Sequence, residues 1–204
     1  MDIEALLDQG DAVALQRAVS EDPSRIDAEL GGGDHRPHPI HAVCDRVFDG
    51  RLSEAVGRSL VEVLVKAGAK LEHTHHRNGD GLVTSAISLS CPSIANFLID
   101  AGAPTDRTGL FEVTPLFWAA IMGMPELVAR LLDGAELTRR DREFDSTPLG
   151  WAIEGWAHPP KGSKGGQIDC AALLVAAGSI VEPQWVRSER IKADAGMKAA
   201  LGLG

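Results

Sequence analysis

A heptapeptide recurs at a fixed interval. "TPLFWAA" occupies residues 114–120 and "TPLGWAI" residues 147–153, so Thr147 follows Thr114 by 33 residues, with Pro, Leu, Trp and Ala at matching offsets. A period of this length restricts the fold more than any other feature of the chain. A unit of about 33 residues has too little interior to bury its own apolar face, so copies must stack. Two weaker copies lie upstream in the same frame. "GLVTSAI" begins at Gly81, again 33 residues before Thr114, and keeps Ala86 and an apolar Val83. "HPIHAVC" begins at His38 and keeps Pro39, Ile40 and His41 in place.

Each copy is followed by a second amphipathic segment and then a glycine. These segments are "LVEVLVKAGAKLE" (60–72), "IANFLIDAGAPTD" (94–106), "ELVARLLDGAEL" (126–137) and "CAALLVAAGSIV" (170–181). The glycines are Gly68, Gly102, Gly134 and Gly178, placed where a helix ends in a left-handed residue. Proline suits the first helical turn, where its missing N–H costs nothing, and a preceding Thr can cap that turn. The spacing therefore predicts helices starting near Pro39, Leu82, Pro115 and Pro148. Small residues at Ala86, Ala119 and Ala152 would let neighbouring helices approach closely.

The pattern resembles the ankyrin repeat, whose 33-residue period and T-P-L-H-x-A signature it follows most closely in the third and fourth copies. The resemblance implies an all-α ankyrin-repeat solenoid. It would comprise four helix-pair repeats at 38–70, 81–103, 114–136 and 147–180 in one domain spanning 1–204. Residues 1–30 would form an irregular N-terminal cap, with two short helical patterns split by Gly10. Residues 184–204 would form a C-terminal cap, with Ser188 starting a helix over 188–201. The first and fourth units hold about ten extra residues between their helices, at 45–57 and 155–167. The first insert is expected to lengthen the second helix from Ser53. The fourth, "EGWAHPPKGSKGGQ", is too rich in Pro and Gly for regular helix and reads as a loop around Trp156 and His158.

Composition excludes several functions. A net charge of −9 gives no general attraction to nucleic acid or anionic membrane, and no apolar run approaches a membrane span. Cys44, Cys91 and Cys170 form neither a CxxC pair nor a disulfide framework. A reduced, cytoplasmic monomer without a cofactor is expected. No nucleophile motif is present, and Gly31-Gly32-Gly33 lacks the Lys-Ser/Thr of a phosphate loop.

The resemblance implies a protein-binding module that uses finger loops and first helices, as an inhibitor or regulator of one partner. Candidate contacts are Leu110 and Phe111 on the third finger, Trp118 and Trp151 at one repeat position, and Arg139, Arg140 and Arg142 on the fourth finger. An apolar anchor rimmed by arginine is the expected composition of a contact surface. Two alternatives stay open. His35, His38, His73, His75 and His76 supply imidazoles to the first two fingers and offer a metal-dependent protein or enzyme. Against this, solvated finger tips pre-orient ligands poorly, and His41 and Cys44 suit packing roles. The Trp118/Trp151 pair offers a groove for a small molecule.

Overall fold

The computed structural model describes residues 2–31, 37–75 and 77–204. Among these residues the regular structure is helical, and the single β-bridge pairs Thr74 with Gly81. Two compact units divide the chain, Met1–Leu110 and Phe111–Gly204.

The first unit comprises α1 (Ile3–Gln9), α2 (Ala12–Glu21), α3 (Pro39–Phe48), α4 (Glu54–Lys66), α5 (Leu82–Ser88) and α6 (Pro92–Asp100). Gly10, at φ 67°, separates α1 from α2. The pair α3/α4 stacks on α5/α6, α3 against α5 and α4 against α6, while α2 covers the other side of α4. Their shared core holds Ile40, Val43, Leu60, Leu64, Leu82, Ile87, Ile94 and Leu98, all fully buried. His38 takes the capping role that Thr147 has in the last copy, its Nδ1 accepting the Ile40 N–H at 3.2 Å. The first insert behaves as its sequence implies: Ser53 caps α4 by accepting from Val56 N, and α4 runs for 13 residues.

The second unit comprises α7 (Pro115–Ile121), α8 (Pro125–Leu131), α9 (Pro148–Ala157), α10 (Gln167–Ala176), α11 (Pro183–Arg187), α12 (Glu189–Ala193) and α13 (Ala195–Ala200). Here α7 packs on α9, α8 on α10, and α13 closes over α10. All four predicted starts are met, at Pro39, Leu82, Pro115 and Pro148. Ala86, Ala119 and Ala152 are fully buried. Gly155, in α9, lies against α7 so closely that an added Cβ would strike the Ile121 carbonyl.

Three details depart from the sequence reading. Thr147 caps α9 through its side chain, whereas Thr114 makes no such bond to α7. The expected helix over 188–201 is two helices. Ser188 caps α12, and Asp194 then accepts from Met197 N at 2.7 Å and starts α13, because a short carboxylate competes with the helix for nearby amides. The fourth insert begins as helix, since α9 continues to Ala157, and its remainder is pinned. Lys164 N donates to Met122 O at 2.8 Å, Gly166 N to Gly123 O at 3.1 Å, and Gln167 Nε2 to Ile121 O at 3.0 Å. Gly123, at φ +67°, has no room for a side chain against Gly166 and Gln167.

Candidate functional site

The fourth finger is built around one carboxylate. Asp141 is 3% exposed. Its Oδ1 accepts from the amides of Glu143 (2.9 Å) and Phe144 (2.6 Å), and its Oδ2 from Ser146 N (3.0 Å) and the Trp151 indole Nε1 (2.9 Å). Burial pushes this carboxyl up, but the indole and the three backbone donors outweigh it and hold Asp141 below the usual carboxylate range. The finger is thus folded over Trp151, and Trp151 is buried with 5% exposed.

That burial revises the roles expected of the aromatic residues. Trp118 and Trp151 do lie side by side, edge to face at 5.3 Å between centroids. They do not form an open slot, because Phe111, Phe117 and Phe144 all crowd the Trp151 ring at 5.6–6.4 Å. Trp151 is a pillar, whereas Trp118 is half-buried. Phe111 is half-buried and packs with Trp118 against a core of Val113, Phe117 and Trp151. The exposed aromatic is one the sequence reading passed over. Phe144 is 64% exposed, stacked edge to face on Phe111 at 5.8 Å. Its signal was an apolar residue inside the charged run "RRDREFDS". Phe111, Glu112 and Asp145 take left-handed backbone angles (φ 62°, 60° and 50°), a conformation that costs non-glycine residues of order 1 kcal/mol or more each. Arg142 N donates to Phe111 O at 2.9 Å and ties the two finger tips together.

The three arginines lie here, and each is already ion-paired within the unit. Arg139 faces Glu136 at 3.6 Å, and Arg142 faces Glu112 at 3.3 Å. Arg140 bonds Glu182 at 2.6 Å and also reaches the Asp145 main-chain oxygen. Arg142 is the most exposed, with 78% of its side chain accessible. Leu110, 38% exposed, ends the first unit, its N–H bonded to Asp80 Oδ1 at 2.9 Å.

The histidine candidates are in the first unit. His38, His73 and His75 gather around His41, and His35 and His76 lie outside the described residues. Among the described residues no group of three His, Cys, Asp or Glu side chains is arranged to hold a metal ion. Both His38 nitrogens are engaged, Nδ1 by Ile40 N and Nε2 by Asp27 Oδ1 at 2.9 Å. Cys44, Cys91 and Cys170 are buried free thiols, and burial pushes Cys170 up to about 12, which removes it as a nucleophile. No described helix is long and apolar enough to cross a membrane.

Helix pairs opened by proline, closed by glycine and joined by finger loops are the architecture of an ankyrin-repeat protein. The ankyrin repeat family model matches residues 112–142, the stretch from the third finger through α7 and α8 into the fourth finger, so this stretch is an ankyrin repeat. No curated protein matches the chain.

Proposed function

We propose that this chain is a protein-binding module, without chemistry of its own, that holds one partner on the finger side of the second unit. The helix pairs on either side of the matched repeat are taken as further repeats, four in all, in one functional domain. The observation that carries the partner assignment is Phe144, a large aromatic left 64% exposed on a finger whose amides are bonded by Asp141, and backed by Phe111 and Trp151. Exposed aromatic anchors with ordered surroundings are what hot spots are made of. Phe111, Trp118, Arg139, Arg140 and Arg142 would form the surroundings of that anchor, Trp151 its floor, and Leu110 a candidate on the first unit alone. Inhibition or regulation of the partner is the functional version of this reading.

Quantitative affinity capture from the native lysate, comparing wild type with Phe144→Ala, tests the proposal. The partner should be depleted on the variant while the variant's unfolding midpoint stays put, since an exposed finger residue contributes little to the stack. Retention of every wild-type partner by Phe144→Ala, with loss on deletion of residues 159–165, would move the interface to the opposite end of the repeats.

A further inference from the structure

Phe144 stands on a floor that is already full. Its ring meets Phe111 edge to face at 5.8 Å and Trp151 at 6.4 Å, and Trp151 beneath it is only 5% exposed. Asp141 bonds the amides of Glu143 and Phe144 at 2.9 and 2.6 Å and that of Ser146 at 3.0 Å, so the main chain is tied on both sides of the ring. Asp145 keeps a left-handed φ of 50°, which aspartate tolerates better than most residues. The result is a projection, Phe144 being 64% exposed above a closed floor.

The charges around this projection do not balance. Arg139, Arg140 and Arg142 face Glu136, Glu182 and Glu112, one carboxylate each. Glu143 and Asp145, the chain neighbours of Phe144, are left over. Glu143 is exposed and has no ion-pair partner among the described residues. The Asp145 side chain is 85% accessible and comes only within 3.8 Å of Arg140, whose guanidinium already bonds Glu182 at 2.6 Å. We propose, on the reading that Phe144 is the anchor, that the partner is a folded protein with an apolar pocket that receives the Phe144 ring and a rim of lysine or arginine that meets Glu143 and Asp145.

Shape and charge each narrow the partner. An apolar ring is fully desolvated only when atoms surround it, and here the missing ones must come from outside. A concave, folded surface supplies such a cup. A short extended segment laid across a projection covers one side of the ring. The flanking carboxylates lose hydration as the cup closes. Cations at its rim offset that loss, whereas a neutral or acidic rim leaves unpaired carboxylates or like charges at the contact.

The test uses the full chain, immobilised at sub-saturating density, and two forms of one native lysate. One is intact, and the other is cut to peptides by a protease that cleaves after Glu, which leaves basic segments whole. Proteins captured from the intact lysate by wild type and lost on Phe144→Ala define the ligand. No peptide of theirs should be captured from the cut lysate. Glu143→Lys should weaken their binding about tenfold and Asp145→Asn, which tolerates the same left-handed angle, about threefold, as charge contacts at an exposed rim do. Phe144→Trp should weaken it about tenfold or more, because a cup fitted to a phenyl ring is overpacked by an indole. Unfolding midpoints of the variants should match wild type, and Glu143→Gln replaces the Lys variant if that one does not fold. Phe144-dependent binding that survives in the cut lysate identifies a peptide. Undiminished binding by Phe144→Trp identifies an open surface, and binding unchanged or strengthened by Glu143→Lys removes the basic rim. Each of these overturns the proposal and leaves Phe144 as the anchor. A lysate with no Phe144-dependent protein overturns the anchor itself, and the pocket with it.

Discussion

Asp141 shows how one side chain can set the shape of a candidate binding surface. Its two oxygens gather three backbone amides and the Trp151 indole, so the finger tip and the aromatic floor share one anchor. Asp141→Ala leaves four donors without that acceptor and should destabilise the second unit by about 3 kcal/mol, as hydrogen bonds to a buried charge are worth about 1.5–3 kcal/mol each but partly recover with water. Denaturant unfolding followed by tryptophan fluorescence measures this directly, because all four tryptophans lie in residues 111–204. The pH dependence has a definite sign. A carboxyl held below its ordinary 3.8 contributes stability that is complete above that value and is lost as pH falls through the folded pKa. The acid-unfolding limb should therefore be shallower in Asp141→Ala than in wild type. The sequence displayed the Asp and the Trp ten residues apart, but nothing in the spacing said that the finger would fold back over the ring. That contact is why Trp151 was expected at the surface and lies beneath it.

At the scale of elements, the helix starts were legible because proline and glycine act locally. Pro39, Pro115 and Pro148 fix the first turn through their own φ, and Gly68, Gly102, Gly134 and Gly178 end helices through theirs. The fourth insert was only half legible. Its prolines and glycines forbade a long helix, yet what orders it is a set of carbonyls at Ile121, Met122 and Gly123, over 40 residues away. The break at Asp194 needed the capping geometry itself. Close approach of α7 and α9 gives two tests. Ala119→Leu should cost about 1–3 kcal/mol by overpacking a fully buried site. Gly155→Ala should also destabilise, although alanine favours an isolated helix by about 1 kcal/mol over glycine, because the new Cβ meets the Ile121 carbonyl. A raised unfolding midpoint for Gly155→Ala would show that the two helices do not lie in van der Waals contact there.

For the whole molecule, charge is unevenly divided. Residues 1–110 hold 10 basic and 17 acidic side chains, whereas residues 111–204 hold 10 and 12, so net charges of −7 and −2 make up the total of −9. The arginine-rich finger is not a bare cationic patch, because Arg139, Arg140 and Arg142 are each paired with a carboxylate of their own unit. A partner seated on this surface would gain little from long-range attraction and most from covering Phe144. Two consequences can be measured with the captured partner. Raising salt from about 0.1 M to about 1 M shortens the screening length from about 10 Å to about 3 Å and should weaken binding by less than tenfold. Phe144→Ala should weaken it by about 2 kcal/mol, close to thirtyfold in Kd, whereas Arg142→Ala should cost about 1 kcal/mol or less because it also frees Glu112. A steep salt dependence together with a silent Phe144→Ala would place the contact on the acidic first unit, with a basic partner.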